Sequence, residues 1–137
     1  MGSVGTGSPH CPLGSWTRRC SELWQEWQIG LGICYDLRFP EFFQSLKKSG
    51  PVDVLIIPSA FTKLTGAYHW EILLRAKAIE YQCYVIASNQ VGNHYGTKES
   101  FGHSMIIDPW GHILKTTHIK PGLISTPISK EALHKIR

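Results

Sequence analysis

The chain has 137 residues, 42% of them hydrophobic, with a formal net charge of +4 and a pI near 8.9. That length suits one domain with an apolar core. No apolar run approaches the ~18 to 20 residues of a membrane span, and no basic run exceeds two residues, so neither a membrane nor a nucleic acid is an expected partner.

Residues 1–28 are rich in Gly, Ser, Pro and Trp and show no sustained period, so they read as a leader of low regularity, with one helical turn at most around Glu22–Trp27. The opening has no charged segment followed by an apolar one, which argues against a secretory signal. Gly2 and Thr6 fit the loose N-myristoylation pattern, but a flexible Gly/Ser start produces the same letters and is the preferred reading. Cys11, Cys20, Cys34 and Cys83 include no CxxC pair. Reduced thiols in a cytoplasmic protein fit this better than a disulfide framework, with the mitochondrion as a second candidate compartment.

From Ile29 onward apolar bursts alternate with amphipathic stretches, the pattern of an α/β layer protein. The apolar run at 29–34 predicts a buried strand. Residues 39–49 predict a helix, with Pro40 in the first turn and Gly50 as its stop. Val52–Ile57 predicts a central strand closed by Pro58, and 69–82 predicts the longest helix, apolar over a wide arc. A further buried strand is expected at 83–88. Segments 104–108 and 112–116 flank Pro109-Trp110-Gly111 as a hairpin, with Asp108 belonging to its turn. A short strand at 123–127 and a helix from Lys130 complete the series, while glycines 92, 96 and 102 predict a mobile loop.

The segment GICYDLRFPE, residues 32–41, carries the strongest chemical signal. It places Cys34 between an apolar strand and a helix start, where free backbone N–H groups and the helix dipole favour a thiolate. A lone cysteine in an apolar strand is ordinarily a core residue. Here Tyr35, Asp36, Arg38 and Glu41 follow within seven residues, a polar density that a plain turn does not need. The seven histidines show no HxH or HxxxH spacing, so no metal site is expected. A dyad of Cys34 with His69 or His103 has no local signature to support it.

This motif resembles the nucleophile segment of the nitrilase superfamily of carbon–nitrogen hydrolases. PSAF at 58–61, TGAYHWEILLRAKAIEYQCYVIASNQVG at 65–92 and GHSMIIDPWG at 102–111 resemble further family segments in the same order. CYDLRFPE with HWE and DPWG most resembles the Nit1-type amidases that act on deaminated glutathione. The resemblance covers 29–137 and implies an αββα sandwich, no metal or organic cofactor, and homo-oligomeric assembly. It also implies a Glu-Lys-Cys mechanism on a small-molecule amide: thiolate attack, a thioester intermediate, a Glu base and a Lys that stabilises the oxyanion. Carried over by position, Cys34 is the nucleophile, the Tyr35 N–H an oxyanion donor, and Arg38 with Glu41 a charged pair bracing the elbow. Phe61, Thr62 and His69, beside expected strand ends or a helix start, are candidate substrate-binding residues.

The family's Glu and Lys precede its Cys. In this chain no lysine precedes Cys34, and the upstream glutamates, Glu22 and Glu26, lie outside any matching motif. The expectation is therefore a half subunit: a leader at 1–28 and a partial hydrolase domain at 29–137. It is either an amidase by reaction class or a truncated or splice form that is inactive alone and pairs with full-length subunits.

Overall fold

A computed structural model of the chain describes residues 27–48 and 50–137. The possible turn at Glu22–Trp27 and the leader thus lie almost wholly outside the described residues. Strand β1 (Ile29–Leu31) leads into a short 3-10 helix (Cys34–Arg38) and then α1 (Pro40–Lys47). Strand β2 (Val54–Ser59), helix α2 (Lys63–Tyr81) and strand β3 (Tyr84–Asn89) follow. A hairpin of β4 (Val91–His94) and β5 (Lys98–Phe101) precedes β6 (Met105–Ile107), β7 (Ile113–Thr116) and α3 (Lys130–Ile136).

The main sheet has the order β1-β2-β3-β6-β7, with β1 to β3 parallel and the last two strands antiparallel. Residues 55, 57, 85 and 87 alternate onto one face and pack against Phe43 and Leu46 of α1 and Trp70, Leu74, Ala78 and Tyr81 of α2. On the opposite face α3 covers one end, where Leu133 packs on Val54 and Tyr84. Farther along, Ile56 and Ile86 are half-buried and Pro58 and Ser88 exposed. One helix layer on one sheet is half of an αββα sandwich.

Several sequence expectations shift. The strand expected at 29–34 ends at Leu31, so Cys34 opens a helix and is not part of a strand. Helix α2 starts six residues before His69, and Gly66 sits inside it as a close-approach residue. A Cβ there would lie 2.4 Å from Phe101 Cβ. Pro58 does not close β2 but lies within it, paired in register with Ser88. Backbone polar groups alternate sides along a strand, and Ile56 accepts from Gly32 on the β1 side, so residue 58 points its nitrogen to that side too. There β1 has already turned away, and no ladder bond is lost to the missing N–H.

Segment 123–127 forms no strand. Leu123 is 96% exposed, and this stretch leads to Ile128, which joins the cluster under α3. The glycine-containing segment read as a loop holds instead the β4–β5 hairpin, registered from Val91↔Phe101 to His94↔Lys98. The hairpin around 109–111 forms as expected, with Asp108 accepting from the Trp110 and His112 N–H groups at 2.9 Å each. Among the described residues no helix is long and apolar enough to cross a membrane.

Candidate active site

The carboxyl ends of β1, β2 and β3 lie side by side, and their outgoing loops carry the polar residues. Between them opens a cavity of about 530 Å³ lined by Ile33, Cys34, Pro58, Ser59, Ala60, Ser88, Asn89 and Gln90. Its origin is the early departure of β1 from β2, which leaves the last residues of β2 uncovered on that side. Ligand crevices in parallel sheets form at such strand ends.

Cys34 is half-buried and has φ = 45°, a left-handed conformation that costs a non-glycine residue ~1 to 2 kcal/mol. Asp36 holds it there. The Asp36 carboxylate accepts from the Ile33 N–H at 2.8 Å, while its own N–H donates to the Ile33 carbonyl at 2.9 Å. This reciprocal pair fixes both sides of the thiol-bearing residue. The backbone N–H groups of Cys34 and Tyr35 head the 3-10 helix, where amides have no acceptor within the helix.

The expected charged pair does not form. Arg38 Nη2 donates instead to His69 Nδ1 at 3.0 Å, and Glu41 is exposed with no ion pair among the described residues. A guanidinium only donates, so His69 Nδ1 is the acceptor in this contact. Arg38 also lies over the Tyr35 ring (5.4 Å) and the Phe61 ring (5.8 Å), which ties the 3-10 helix to the start of α2. The brace expected from Arg38 with Glu41 is thus divided between Asp36, on the backbone, and an Arg38–His69 contact.

Phe61, Thr62 and His69 do not line the cavity. Phe61 is buried against Trp70, ring centroids 4.9 Å apart. Thr62 is exposed, and its hydroxyl reaches Thr65 at 3.1 Å. His69 and Tyr35 are exposed on the Arg38 side. His103 is likewise outside the lining: its Nδ1 contacts the Phe101 carbonyl at 2.8 Å and its ring stacks on Phe101. Neither histidine dyad is therefore assembled around the cavity.

Sequence reasoning missed Asn89, which organises the floor. Its Oδ1 accepts from the Phe61 N–H and its Nδ2 donates to the Gly102 carbonyl, both at 2.8 Å, so one buried amide ties the β2–α2 and β5–β6 loops together. The signal was available in SNQ, three polar residues closing an apolar strand. Ser59, Ser88 and Gln90 complete the polar lining. Among the described residues the lining contains a thiol, hydroxyls and amides, with no carboxylate and no ammonium group.

Residues 14–137 match the family model for carbon–nitrogen hydrolase. The deaminated glutathione amidase of Synechocystis sp. (strain PCC 6803 / GT-S) is 51% identical over 109 residues, which cover 80% of this chain and 40% of that protein. This chain thus spans well under half the length of that curated relative. Among solved structures, the CN-hydrolase superfamily protein XC1258 from Xanthomonas campestris superposes with a TM-score of 0.76 at 32% identity, covering 86% of this chain and 46% of the other. The E41L mutant of the amidase from Nesterenkonia sp. AN1, whose structure shows covalent addition of the acetamide moiety of fluoroacetamide at the active-site cysteine, matches with a TM-score of 0.67 at 27% identity. That match covers 82% of this chain and 41% of the other. A strand-end thiol on a braced left-handed turn, a matching family model and these relatives agree: the chain belongs to the carbon–nitrogen hydrolase family.

Proposed function

We propose that this chain supplies the nucleophile-bearing half of an amidase, with Cys34 attacking the carbonyl carbon of a small amide. The observation that carries this reading is Cys34 itself, held at positive φ at the mouth of a strand-end cavity. In the proposed step the sulfur forms a bond to the carbonyl carbon and the tetrahedral oxyanion faces the Tyr35 N–H. Collapse expels ammonia and leaves a thioester, which water then hydrolyses to the acid. The relative's name makes deaminated glutathione, or another ω-amide, the substrate class of choice.

Among the described residues the cavity lining provides no general base and no cation, so proton transfer and full oxyanion stabilisation require a Glu and a Lys from outside them. A chain-alone assay should therefore show ammonia release from a small ω-amide at least ~10³-fold below that of a full-length relative. Adding the Glu- and Lys-bearing amino-terminal half of such a relative should raise the release, and Cys34→Ala should abolish the gain. Release that persists in Cys34→Ala would sink the assignment. Pairing with full-length subunits and self-association are part of the same proposal, supported by the half-covered sheet face at Ile56, Pro58, Ile86 and Ser88.

A further inference from the structure

Across the strand tips the cavity lining changes character in order. Cys34 stands where β1 has turned away, Pro58 and Ala60 follow on β2, and Ser88 and Gln90 close the β3 side. One end thus holds the thiol, the middle is apolar and the far end is polar. Side chains alternate along a strand, so Asn89 points toward the helices with Val85 and Ala87, while Ser88 points to the other side with its ladder partner Pro58. The ladder runs one residue past β3. The Gln90 N–H donates to the Ser59 carbonyl at 3.0 Å, and the Gln90 carbonyl accepts from the Gly102 N–H at 2.9 Å. Gln90 therefore keeps the alternation and falls on the Ser88 side, with its backbone held from both edges. Its side chain is exposed, and its carboxamide has no hydrogen-bond partner among the described residues.

Resting on the Cys34 reading above, we infer that Gln90 is a specificity-determining residue whose carboxamide N–H groups donate to a carboxylate at the far end of the substrate, across the cavity from the reacting amide. Neighbouring strands lie ~4.8 Å apart, so the β1 and β3 tips are separated by about 10 Å. The thiol and the glutamine side chain each reach into that space, and a short chain of atoms spans the rest, with Pro58 and Ala60 beneath it. A carboxylate only accepts, and a carboxamide offers it two donors; a hydrogen bond to a charged group is the stronger kind. An ammonium tail would find no carboxylate in the lining among the described residues.

The test uses the full chain and two nearly isosteric reagents, N-chloroacetylglycine and N-isobutylchloroacetamide. With either, the Cys34 thiolate forms a sulfur–carbon bond and chloride leaves with the bonding pair. The two share the reactive end and the amide, and differ in a carboxylate or an isopropyl group at the tail. Labelling rates at the Cys34 peptide, read by mass spectrometry and normalised to the denatured chain, should favour the carboxylate reagent. That preference should fall about 5- to 10-fold in Gln90→Met, which keeps length and charge, and at least as far in Gln90→Glu, which offers acceptors in place of donors. Because the side chain is exposed, neither variant should move the Tm. An unchanged preference in Gln90→Met, a fall seen only together with a lowered Tm, or no preference in the parent chain would overturn the inference while leaving Cys34 as nucleophile. A Cys34 unlabelled by both reagents would overturn both.

Discussion

Cys34 and Cys83 show how far position alone separates two thiols in one domain. Cys34 stands on a turn at the cavity, whereas Cys83 is fully buried beneath α1 and α2. Burial pushes the Cys83 thiol up to about 12, only partly countered by the Arg137 and Lys47 charges. The unfolded chain gives up this proton near pH 9. Between about pH 9 and 12 the unfolded state therefore binds fewer protons than the folded one, and stability falls as pH rises. The limit is on the order of 4 kcal/mol for a three-unit difference. Urea titrations across that range should show this decline and a flatter profile in Cys83→Ala; equal slopes would refute it. Cys34 was legible in the sequence because four functional groups crowd behind it. The task of Asp36 was not singled out although its partner, Ile33, is only three residues away, and that of Asn89 was not legible because it depends on which backbone groups the fold brings near. The Asn89 partners are 13 and 28 residues away.

At the scale of elements, apolar period exposed those that touch the core and hid those that do not. Strands β2 and β3 and the β6–β7 hairpin were legible because β-branched runs and turn chemistry agree there. The β4–β5 pair was not legible: its eight residues are mostly polar and its register comes from pairing, with little apolar alternation to report it. The first turns of α2, from Lys63, were not read as helix; there Gly66, whose missing side chain makes room for Phe101, lies inside it. Gly66→Ala should improve intrinsic helix propensity by ~1 kcal/mol, yet it forces a methyl group into that ring. The clash should win, for a net loss of about 1 to 3 kcal/mol in urea unfolding, and a stabilised variant would contradict this packing.

Across the whole molecule, the two faces of the sheet are unequally treated. One is sealed by α1 and α2, while the other is covered at a single end by α3. There Asp53, buried at the amino end of β2, pairs with Arg137 at 2.8 Å and Lys130 at 3.5 Å, and Arg137 also donates to the Val52 carbonyl at 2.6 Å. Away from this anchor, no described helix packs on the second face, where Ile56 and Ile86 are half-buried and Pro58 and Ser88 exposed among the described residues. The outer side of α2 also presents Leu64, Tyr68 and Ile72, at 73%, 68% and 69% exposure, as a stripe of i, i+4, i+8 spacing. At ~25 cal/mol per Å2, a few hundred Å2 of such surface is worth several kcal/mol, comparable with the stability of a domain. The purified chain should accordingly elute above monomer mass in light-scattering chromatography and bind a hydrophobic dye, with Ile72→Lys reducing both. A monodisperse monomer that binds no dye would count against the reading. These surfaces, exposed among the described residues, were legible only as an expectation of a half subunit, because sequence period shows which residues are apolar and not what lies over them.

The residues lining the cavity sit beyond the segments that make the core, at the tips of three parallel strands. Exchanges at Ala60, Ser88 or Gln90 would therefore alter chemical selectivity while sparing the packed interior. Such a division lets a scaffold drift among related reactants without first losing its fold, so the strand tips are where laboratory evolution of this chain should begin.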